Sequence, residues 1–490
     1  MSQTCNRRQF LARSGKAAAL SLPSMFSCPG LLSGQERNTV RLGLIGLGGR
    51  GGYLAKRLPE VKGMTLAGIC DPDSERLNNI KKQYPDASSH TDFRAILDDR
   101  SIDAVIIATP NYWHCLAAVW AMRAGKDVYV EKPLCMSFRE GQQVVAASKK
   151  YDKICQIGTQ SRTDPVFHSE VRKFLHEDRE LGEIRSVRIN RFAPRNSIGK
   201  RETPLPIPST VDYNLWLGPV EERPLYRNQF HYDWHWMWQT GHGEMGNWGA
   251  HLIDDCRNAI LQDKVRMPKR VLCGGGRVGY NDAGETPNSC FTFFDTGSIP
   301  VVFCISNLPD AKNPKSTGTC PGPTSGYVAY CEGGTYAKQW GSSVAVDYQG
   351  KTIREFKGTN ELDGAVFHIQ NFINAVAAHD RSGLNAPIEI GYDSASWYNG
   401  ANIAYRLGRP YSKTDALAIT GTDGRLAEAI ENLETHLTAQ GIPMNADNFV
   451  LSDFLEIDAE KGCFTGNRAD EANALMDIQY REPFVFPEIA

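Results

Sequence analysis

A glycine-rich turn follows a short apolar stretch near residue 45. Residues 40–45 predict a β-strand, and the next six residues have the G-x-G-x-x-G spacing in front of a stretch with helical periodicity. In this context the first glycine makes a tight turn, the second lets the backbone approach a pyrophosphate at the helix N-terminus, and the third lets the helix pack close to the strand. The motif predicts a dinucleotide site that comprises Gly46, Gly48, Gly49, Arg50 and Gly51.

A carboxylate stands at the end of the second predicted strand, residues 64–70. Asp71 lies 25 residues beyond the first glycine of the turn. A carboxylate at this point accepts hydrogen bonds from the adenosine ribose hydroxyls and repels a 2′-phosphate, so that NAD is favoured over NADP. The alternative interpretation is that Asp71 caps the turn before Pro72.

Three further strand-like segments, 104–108, 127–130 and 154–157, each lead into polar or turn-forming residues. Open α/β sheets bind ligands at the carboxyl ends of their strands. We therefore expect substrate contact from Gln160, which follows the last of these segments. Cofactor contacts are expected from Thr109, Pro110, Asn111, His114, Glu131 and Lys132.

Lys132 is the first candidate for proton transfer. An amine at a strand end, beside a nicotinamide ring and apolar walls, has its pKa lowered because burial disfavours the ammonium form. Such an amine can exchange a proton with a sugar hydroxyl. The alternative is a structural salt bridge with Glu131 or another neighbour.

A predicted helix beginning near Gly243 carries the second candidate. Asn247 and His251 are neighbours at i, i+4 on its polar side, opposite an apolar side that includes Met245 and Leu252. An amide cannot take up a proton, whereas a histidine titrates at about pH 6.5. His251 is therefore the predicted general acid or base of this helix, and Asn247 is predicted to orient the substrate. The alternative is that the polar side is solvated.

An aromatic segment, residues 232–238, places three indoles at alternating positions. Indole faces stack on the C–H faces of sugar rings, so the segment predicts a carbohydrate-binding platform that includes Trp236. His235 could bond sugar hydroxyls from the same segment. The alternative is that these rings belong to the core.

Length and composition narrow the function classes. The chain has 490 residues, enough for two domains and a tail at roughly 100–200 residues per domain. Its 56 acidic and 54 basic residues give a net charge of −2 without a basic cluster, which argues against a nucleic-acid partner. The 13 cysteines form no C-x-x-C pair and no cluster at zinc-ligand spacing, so no metal site is predicted.

The first 37 residues are typical of a targeting segment. Arg7 and Arg8 precede Phe10 and a short run of small apolar residues, a pattern that resembles a twin-arginine export signal. It predicts export to the periplasm, with a cytoplasmic location as the alternative. No segment reaches the roughly 20 apolar residues that a spanning helix needs, so no membrane span is expected.

The remaining chain divides by its pattern of elements. Residues 38–160 alternate strands with helices, which predicts a parallel, doubly wound Rossmann sheet. Residues 161–410 hold alternating or apolar strand-like runs separated by glycine and proline turns, which predicts an α+β domain with a large, mainly antiparallel sheet. Residues 411–490 are predicted to form an extension, partly helical, that packs on the body.

Taken together, these motifs resemble the glucose-fructose oxidoreductase, inositol dehydrogenase and MocA (Gfo/Idh/MocA) family, in its exported bacterial form. The resemblance is carried by the glycine turn, Thr109-Pro110-Asn111, Glu131-Lys132-Pro133, Trp216-Leu217-Gly218-Pro219 and the segments 241–251 and 404–409. It implies a polar helix side that faces the substrate and a homo-oligomer formed through the second sheet. The chain departs from the family at Asn247 and His242, where many members have Asp and Gly.

Three functions remain open at this stage. The main hypothesis is an NAD-dependent oxidoreductase that acts on a secondary hydroxyl of a sugar, cyclitol or glycoside. Because an exported enzyme has no nicotinamide pool to draw on, retained NAD and redox-neutral glycoside cleavage through a 3-keto intermediate form the first alternative. The second alternative is a non-catalytic protein that binds a sugar or nucleotide on the same scaffold.

Overall fold

The computed structural model describes residues 39–358, 361–420, 424–476 and 478–489. The export signal predicted for residues 1–37 lies outside this part of the chain. No helix among the residues described is both long and apolar enough to cross a bilayer.

Six parallel strands form the first sheet, in the order β3-β2-β1-β4-β5-β6. This order is that of a Rossmann fold, which confirms the predicted doubly wound sheet. The strands are β1 Val40–Ile45, β2 Met64–Cys70, β3 Ser88–His90, β4 Ala104–Ile107, β5 Asp127–Glu131 and β6 Cys155–Gly158. Its helices are α1 Gly49–Arg57, α2 Ser74–Lys81, α3 Arg94–Asp98, α4 Asn111–Arg123 and α5 Phe138–Lys150.

The second sheet has twelve strands, ten of them in the order β14-β13-β12-β11-β7-β10-β9-β8-β16-β15, with β17 beside β8 and β18 beside β17. Between its described strands β7 and β10 pair in parallel and the other pairs are antiparallel, which confirms the expected mainly antiparallel sheet. The strands are β7 Ile184–Phe192, β8 Arg270–Gly276, β9 Ser289–Asp295, β10 Val301–Ser306, β11 Ser325–Cys331, β12 Gly334–Gln339, β13 Ser342–Asp347, β14 Thr352–Lys357, β15 Arg409–Pro410, β16 Val450–Leu451, β17 Leu455–Asp458 and β18 Cys463–Thr465.

Helices of the second half pack on both sheets. They are α6 Tyr213–Leu217, α7 Gly243–Asn247, α8 Gly249–Ala259, α9 Glu361–Ala378, α10 Ile388–Arg406, α11 Lys413–Thr420, α12 Gly424–Thr438 and α13 Ala469–Ala474. Short 3₁₀ or π turns lie at Leu58–Glu60, Gln160–Thr163, Val166–Glu170, Lys173–Glu177, Asp233–Trp236 and Arg381–Gly383.

One face of the first sheet is covered by a helix that comes much later in the chain. Ile369 and Phe372 of α9 share a hydrophobic core with Leu42 and Leu44 of β1 and with Tyr129 of β5. Because its strands are buried on both faces, their sequences are nearly continuous apolar runs. The half of the chain that forms the first sheet therefore depends on residues from the second half for its core.

The two faces of the second sheet are also covered within the chain. Phe303 of β10 belongs to the same core as α8 and α10, whereas its neighbour Val302 packs with Leu433 of α12. Successive side chains of a strand point to opposite faces, so α12 lies on the face away from α8. Helix α12, which lies in the extension predicted to be partly helical, thus covers the outer face of the central strands.

Candidate active site

A cavity of about 420 Å³ lies at the carboxyl edge of the first sheet. Its walls come from the glycine turn, the ends of β2, β4 and β5, helix α7 and the loop at residues 231–235. The volume is within the usual range for a small-molecule site, about 300–1,000 Å³. This edge is where the sequence pattern placed the ligand.

The glycine turn has the shape that a dinucleotide needs. Gly46 has φ +86°, and a Cβ added there would lie 2.7 Å from the main-chain carbon of Ala108. A Cβ at Gly51 would lie 1.8 Å from the carbonyl oxygen of Gly46, so only glycine allows α1 to approach the strand this closely. A Cβ at Gly49 would meet nothing within 4 Å. The start of α1 is therefore open to the cavity, as a pyrophosphate-binding helix N-terminus requires.

Asp71 stands at the end of β2 and lines the cavity. Its carboxylate accepts hydrogen bonds from the main-chain N–H of Leu47, at 2.6 Å, and of Asp73, at 2.9 Å. Burial raises its pKa, and the two N–H donors oppose that rise. The carboxylate thus bridges the glycine turn and the start of α2, at the position where ribose hydroxyls are bound in this fold.

Lys132 follows β5 and lines the same cavity. Its Nζ donates a hydrogen bond to the main-chain oxygen of Asn247, at 2.6 Å. Burial lowers the pKa of Lys132 to about 8, although the nearby carboxylate of Glu131 opposes the shift. The amine therefore joins the first sheet to α7 and titrates close to neutral pH.

The carboxylate of Glu131 pairs with a different cation. Arg50, in the first turn of α1, donates from Nε to Glu131 Oε1 at 2.7 Å. The expected alternative for Lys132 was a salt bridge to Glu131. Instead, the side chain of Glu131 fixes the glycine turn, and the Lys132 amine bonds a carbonyl oxygen.

The turn after β4 and the first turn of α4 contribute Thr109, Pro110, Asn111 and His114 to the cavity wall. The ring nitrogens of buried His114 lie 2.8 Å from the carbonyl oxygens of Pro133 and Thr109, so this side chain ties the turns after β4 and β5 together. Gln160 is buried and is not among the residues that line the cavity.

The predicted helix at residue 243 is two helices that meet at Trp248. Asn247, at the end of α7, lines the cavity. Glu244 is buried and accepts hydrogen bonds from Arg191, at 2.8 Å, and Arg195, at 3.0 Å. Burial alone would raise the pKa of Glu244, but the two arginines outweigh it and hold the pKa below its usual range. The polar side of this segment is thus buried and ion-paired rather than solvated.

His251 lies one helical turn further on and does not line the main cavity. Its ring centroid is 5.9 Å from that of Trp248 and 5.7 Å from that of Trp340, beside a recess of about 10 Å³. Burial lowers its pKa well below the usual range, and Lys132 and Arg50 lower it further. The structure therefore brings Asn247, but not His251, to the cavity that Lys132 lines.

The aromatic segment contributes Trp234 and His235 to the cavity. Their ring centroids lie 3.7 Å apart in a stacked arrangement, and burial lowers the pKa of His235 to about 3, which keeps it neutral. Trp236 is 5% exposed and packs against Tyr232, so it is a wall behind the cavity rather than part of its lining. One indole of the three, Trp234, is therefore placed to meet a ligand.

Several lining residues were missed by the sequence analysis. Arg76 of α2 lies over Gly48. Its position three residues after Asp73, the residue that caps α2, is a sequence signal that could have identified it. Phe93 and Phe484 carry no local motif, and Phe484 comes from the far end of the chain. Among the described residues, no group of His, Cys, Asp and Glu is arranged to hold a metal ion.

Comparison with known proteins agrees with this geometry. Residues 40–159 match the family model described as the oxidoreductase family, NAD-binding Rossmann fold (GFO_IDH_MocA), and residues 195–299 match the C-terminal alpha/beta domain of the same family. By these two matches the chain is similar to the Gfo/Idh/MocA oxidoreductase family in both of its halves. Its first sheet accordingly corresponds to the family's NAD-binding domain.

The individual relatives match this chain over only part of their own length. It is 35% identical to scyllo-inositol 2-dehydrogenase (NAD(+)) of Bacillus subtilis over 146 residues, 30% of this chain and 41% of the relative. It is 33% identical to a glycosyl hydrolase family 109 protein of Solibacter usitatus over 158 residues, 30% of this chain and 35% of the relative. The chain thus spans less than half the length of these two relatives.

Solved structures share the fold over a larger part. The WlbA dehydrogenase from Bordetella pertussis, solved in complex with NADH and UDP-GlcNAcA, superposes with a TM-score of 0.54 at 17% identity. The match covers 75% of this chain and 96% of that one. At this identity the likeness concerns the arrangement of the two sheets.

Proposed function

We propose that this chain is an NAD-dependent oxidoreductase that oxidises a secondary hydroxyl of a sugar, a cyclitol or a glycoside. The observation that carries the proposal is the Lys132 amine, which lines the same cavity as the glycine turn and has its pKa lowered to about 8 by burial. A group with this pKa changes its protonation state near neutral pH, as a general acid or base requires.

The lining residues divide the work of such a reaction. NAD, when bound, supplies the acceptor for the hydride that leaves the carbinol carbon. Neutral Lys132 takes the hydroxyl proton as the C–O bond becomes a carbonyl. Trp234 offers a flat apolar face to ring C–H groups, and the Asn247 amide offers hydrogen bonds that orient the sugar. Such positioning brings the reacting atoms to about 3–3.5 Å.

Asp71 supports a preference for NAD over NADP. Its carboxylate lines the cavity beside the glycine turn and would repel a 2′-phosphate. Arg76, which lines the same cavity, is the side chain that would attract one. Titration of the purified protein with the two cofactors tests the preference, and tighter binding of NADP would contradict it.

Location and domain organisation complete the proposal. Residues 1–37 direct export to the periplasm by the twin-arginine route, with the cytoplasm as the alternative. Residues 38–160 bind the nucleotide, residues 161–410 form the substrate and oligomerisation domain, and residues 411–490 pack on the body as an extension.

Redox-neutral glycoside cleavage is the second candidate, favoured by the similarity to a glycosyl hydrolase family 109 protein. Oxidation at C3 acidifies the neighbouring C–H, the aglycone leaves by elimination, water adds, and the carbonyl is reduced again. No net oxidation results, so a retained cofactor would suffice.

One experiment separates these functions. Purified protein is incubated with aryl glycosides, free sugars and cyclitols, with and without added NAD, while NADH and released aglycone are measured. Stoichiometric NADH supports the dehydrogenase, and aglycone release without NADH or added NAD supports redox-neutral cleavage. Lys132→Met should lower either turnover by about 10²- to 10⁴-fold, whereas Lys149→Met, on the exposed side of α5, should leave it unchanged.

A chain that binds NAD but yields neither product would contradict both enzymatic proposals. That result would support the non-catalytic alternative. Unchanged turnover in Lys132→Met would mean that the chain is an enzyme but that Lys132 does not take part in its mechanism.

A further inference from the structure

A segment near the end of the chain, residues 480–485, is held at both ends by helices of the first sheet and contacts α6 between them. We call it the C-terminal strap. At its start the Tyr480 hydroxyl donates to Glu140 Oε1 of α5 at 3.0 Å, and at its end Trp120 Nε1 of α4 donates to the carbonyl oxygen of Val485 at 3.3 Å. The strap is thereby fixed to two helices of the first sheet.

Arg481 fixes the strap to the second half of the chain. Its guanidinium donates to the carbonyl oxygen of Gly218 at 3.0 Å and to the side-chain and main-chain oxygens of Asn214 at 2.8 and 3.0 Å. Its main-chain N–H also donates to the carbonyl oxygen of Pro219, at 2.9 Å. These acceptors flank Trp216, which lines the cofactor cavity. The strap therefore bridges two walls of that cavity.

Phe484 carries the strap into the cavity wall itself. Its side chain is 1% exposed and lines the cavity. The ring lies edge-on to Trp113 with centroids 5.4 Å apart, and stacks on Trp120 at 6.4 Å. Trp113 in turn lies edge-on to Phe93 at 5.3 Å. An aromatic cluster thus closes this part of the cavity.

The order of strands shows which end of the cavity is closed. Asp71 directly follows β2, and Phe93 follows shortly after β3, at the outer edge of the sheet. Lys132 directly follows β5, on the other side of β1 and β4. Because the ribose carboxylate stands at β2, the cluster around Phe93 and Phe484 is at the adenosine end, away from Lys132.

We propose that the C-terminal strap closes the adenosine end of the cavity and keeps NAD bound between turnovers. Release of the nucleotide past this wall requires Phe484 to leave its aromatic cluster or Arg481 to give up its hydrogen bonds. This inference rests on the proposed function, because it assumes that the cavity holds NAD. It names a binding element in a segment that carries no nucleotide motif.

The test is the exchange rate of NAD on the full-length chain. Protein loaded with isotope-labelled NAD is mixed with excess unlabelled NAD, and the label that remains bound is followed by mass spectrometry after rapid desalting. Phe484→Ala should release NAD about tenfold faster than the unsubstituted chain, as the loss of an aromatic contact of this kind implies. Phe367→Ala provides the matched control, because that ring is 47% exposed, lies outside the cavity lining and should leave the rate unchanged.

A second variant keeps the proposal testable if Phe484→Ala does not fold. Arg481→Met removes the side-chain bonds to Asn214 and Gly218 and the guanidinium that lies over the Phe484 ring, keeps every ring of the aromatic cluster, and should also speed release. Exchange at the unsubstituted rate in both folded variants overturns the role of the strap while leaving the proposed function in place. A chain that binds no NAD at all overturns the proposed function and the strap inference together.

Discussion

The surroundings of the Lys132 amine are what suit it to the proton transfer proposed above. Its position at a strand end follows from the sequence, but its partner does not, because the acceptor is a main-chain oxygen 115 residues away. Burial brings its pKa to about 8, where the neutral and charged forms are both accessible at physiological pH.

A pH profile should reveal this amine. A general base must be neutral, so the rate of hydroxyl oxidation at low substrate should rise with pH up to about 8 and level off above it, in line with the lowered pKa of Lys132. Lys132→Met should abolish the rising limb and lower the rate by about 10²- to 10⁴-fold. Initial rates between about pH 6 and 10 provide the measurement, with NAD content checked in parallel.

Asn247→Asp offers a sharper form of the same prediction. A carboxylate beside the amine favours the ammonium form, so the pKa of Lys132 should rise and the limb should move about one unit to higher pH. Asn247→Ala keeps the main-chain oxygen that accepts the Lys132 bond and should leave the limb in place. If the rising limb of the pH profile does not move in Asn247→Asp, a group other than Lys132 is responsible for it.

The positions of single residues were predictable where a motif fixes the backbone. They were less predictable where side-chain packing determines the position. Asp71, Glu131 and Lys132 line the cavity because strand ends converge at one edge of the sheet. A regular helix would place Asn247 and His251 on one side, but the segment breaks at Trp248 and the His251 ring packs beside Trp340. Helical periodicity cannot foresee such a break.

At the scale of elements, apolar runs and turn residues predicted five of the six strands of the first sheet and half of the twelve strands of the second. The strands that were not predicted are β3, β12 and β14 to β18, and two of them show why. β14 is an edge strand with five of its six residues exposed, so it shows no burial pattern. β12 places Lys338 inward, where it pairs with buried Asp255, so a charged residue interrupts the apolar alternation. Whether a strand lies at the edge of a sheet, and whether a charged side chain is paired inside the core, depend on tertiary contacts. The local sequence does not show these contacts.

The glycine turn allows a matched pair of substitutions at this scale. Gly51→Ala puts a Cβ 1.8 Å from the carbonyl oxygen of Gly46, so the turn or α1 must shift. We expect a loss of about 1–3 kcal/mol in the free energy of unfolding together with weaker NAD binding. Gly49→Ala meets nothing within 4 Å and should change the stability by less than about 1 kcal/mol. Denaturant unfolding measures both, and equal stabilities would contradict the steric argument.

The whole molecule is more interdependent than a division by motifs suggests. Helix α9 completes the core of the first sheet, the C-terminal strap joins both halves, and α12 covers the outer face of the central strands of the second sheet. Sequence patterns identified the two sheets, since each has its own periodicity. They could not show which helices cover them, because those contacts join residues far apart in the chain.

This arrangement decides where a homo-oligomer can form. The central strands of the second sheet are covered by α12 and are therefore unavailable, whereas β12 to β14 extend beyond it. Ala337 and Val344 stand opposite each other in adjacent strands and are half-buried, while the neighbouring Ala345 is fully buried on the other face. A partly exposed apolar strip of this kind fits the sheet-mediated oligomer that family resemblance implies.

We therefore predict a dimer through the outward face of β12 to β14. Light scattering coupled to size exclusion should give about twice the mass of one chain, since a C₂ dimer is the commonest closed assembly. Val344→Lys should shift the protein to a monomer, because it places charges on both copies of a self-complementary patch. Val344→Thr keeps the shape and strand preference and should remain dimeric. A dimer that survives Val344→Lys would mean that the interface lies elsewhere on the molecule. A monomeric unsubstituted chain would exclude the dimer.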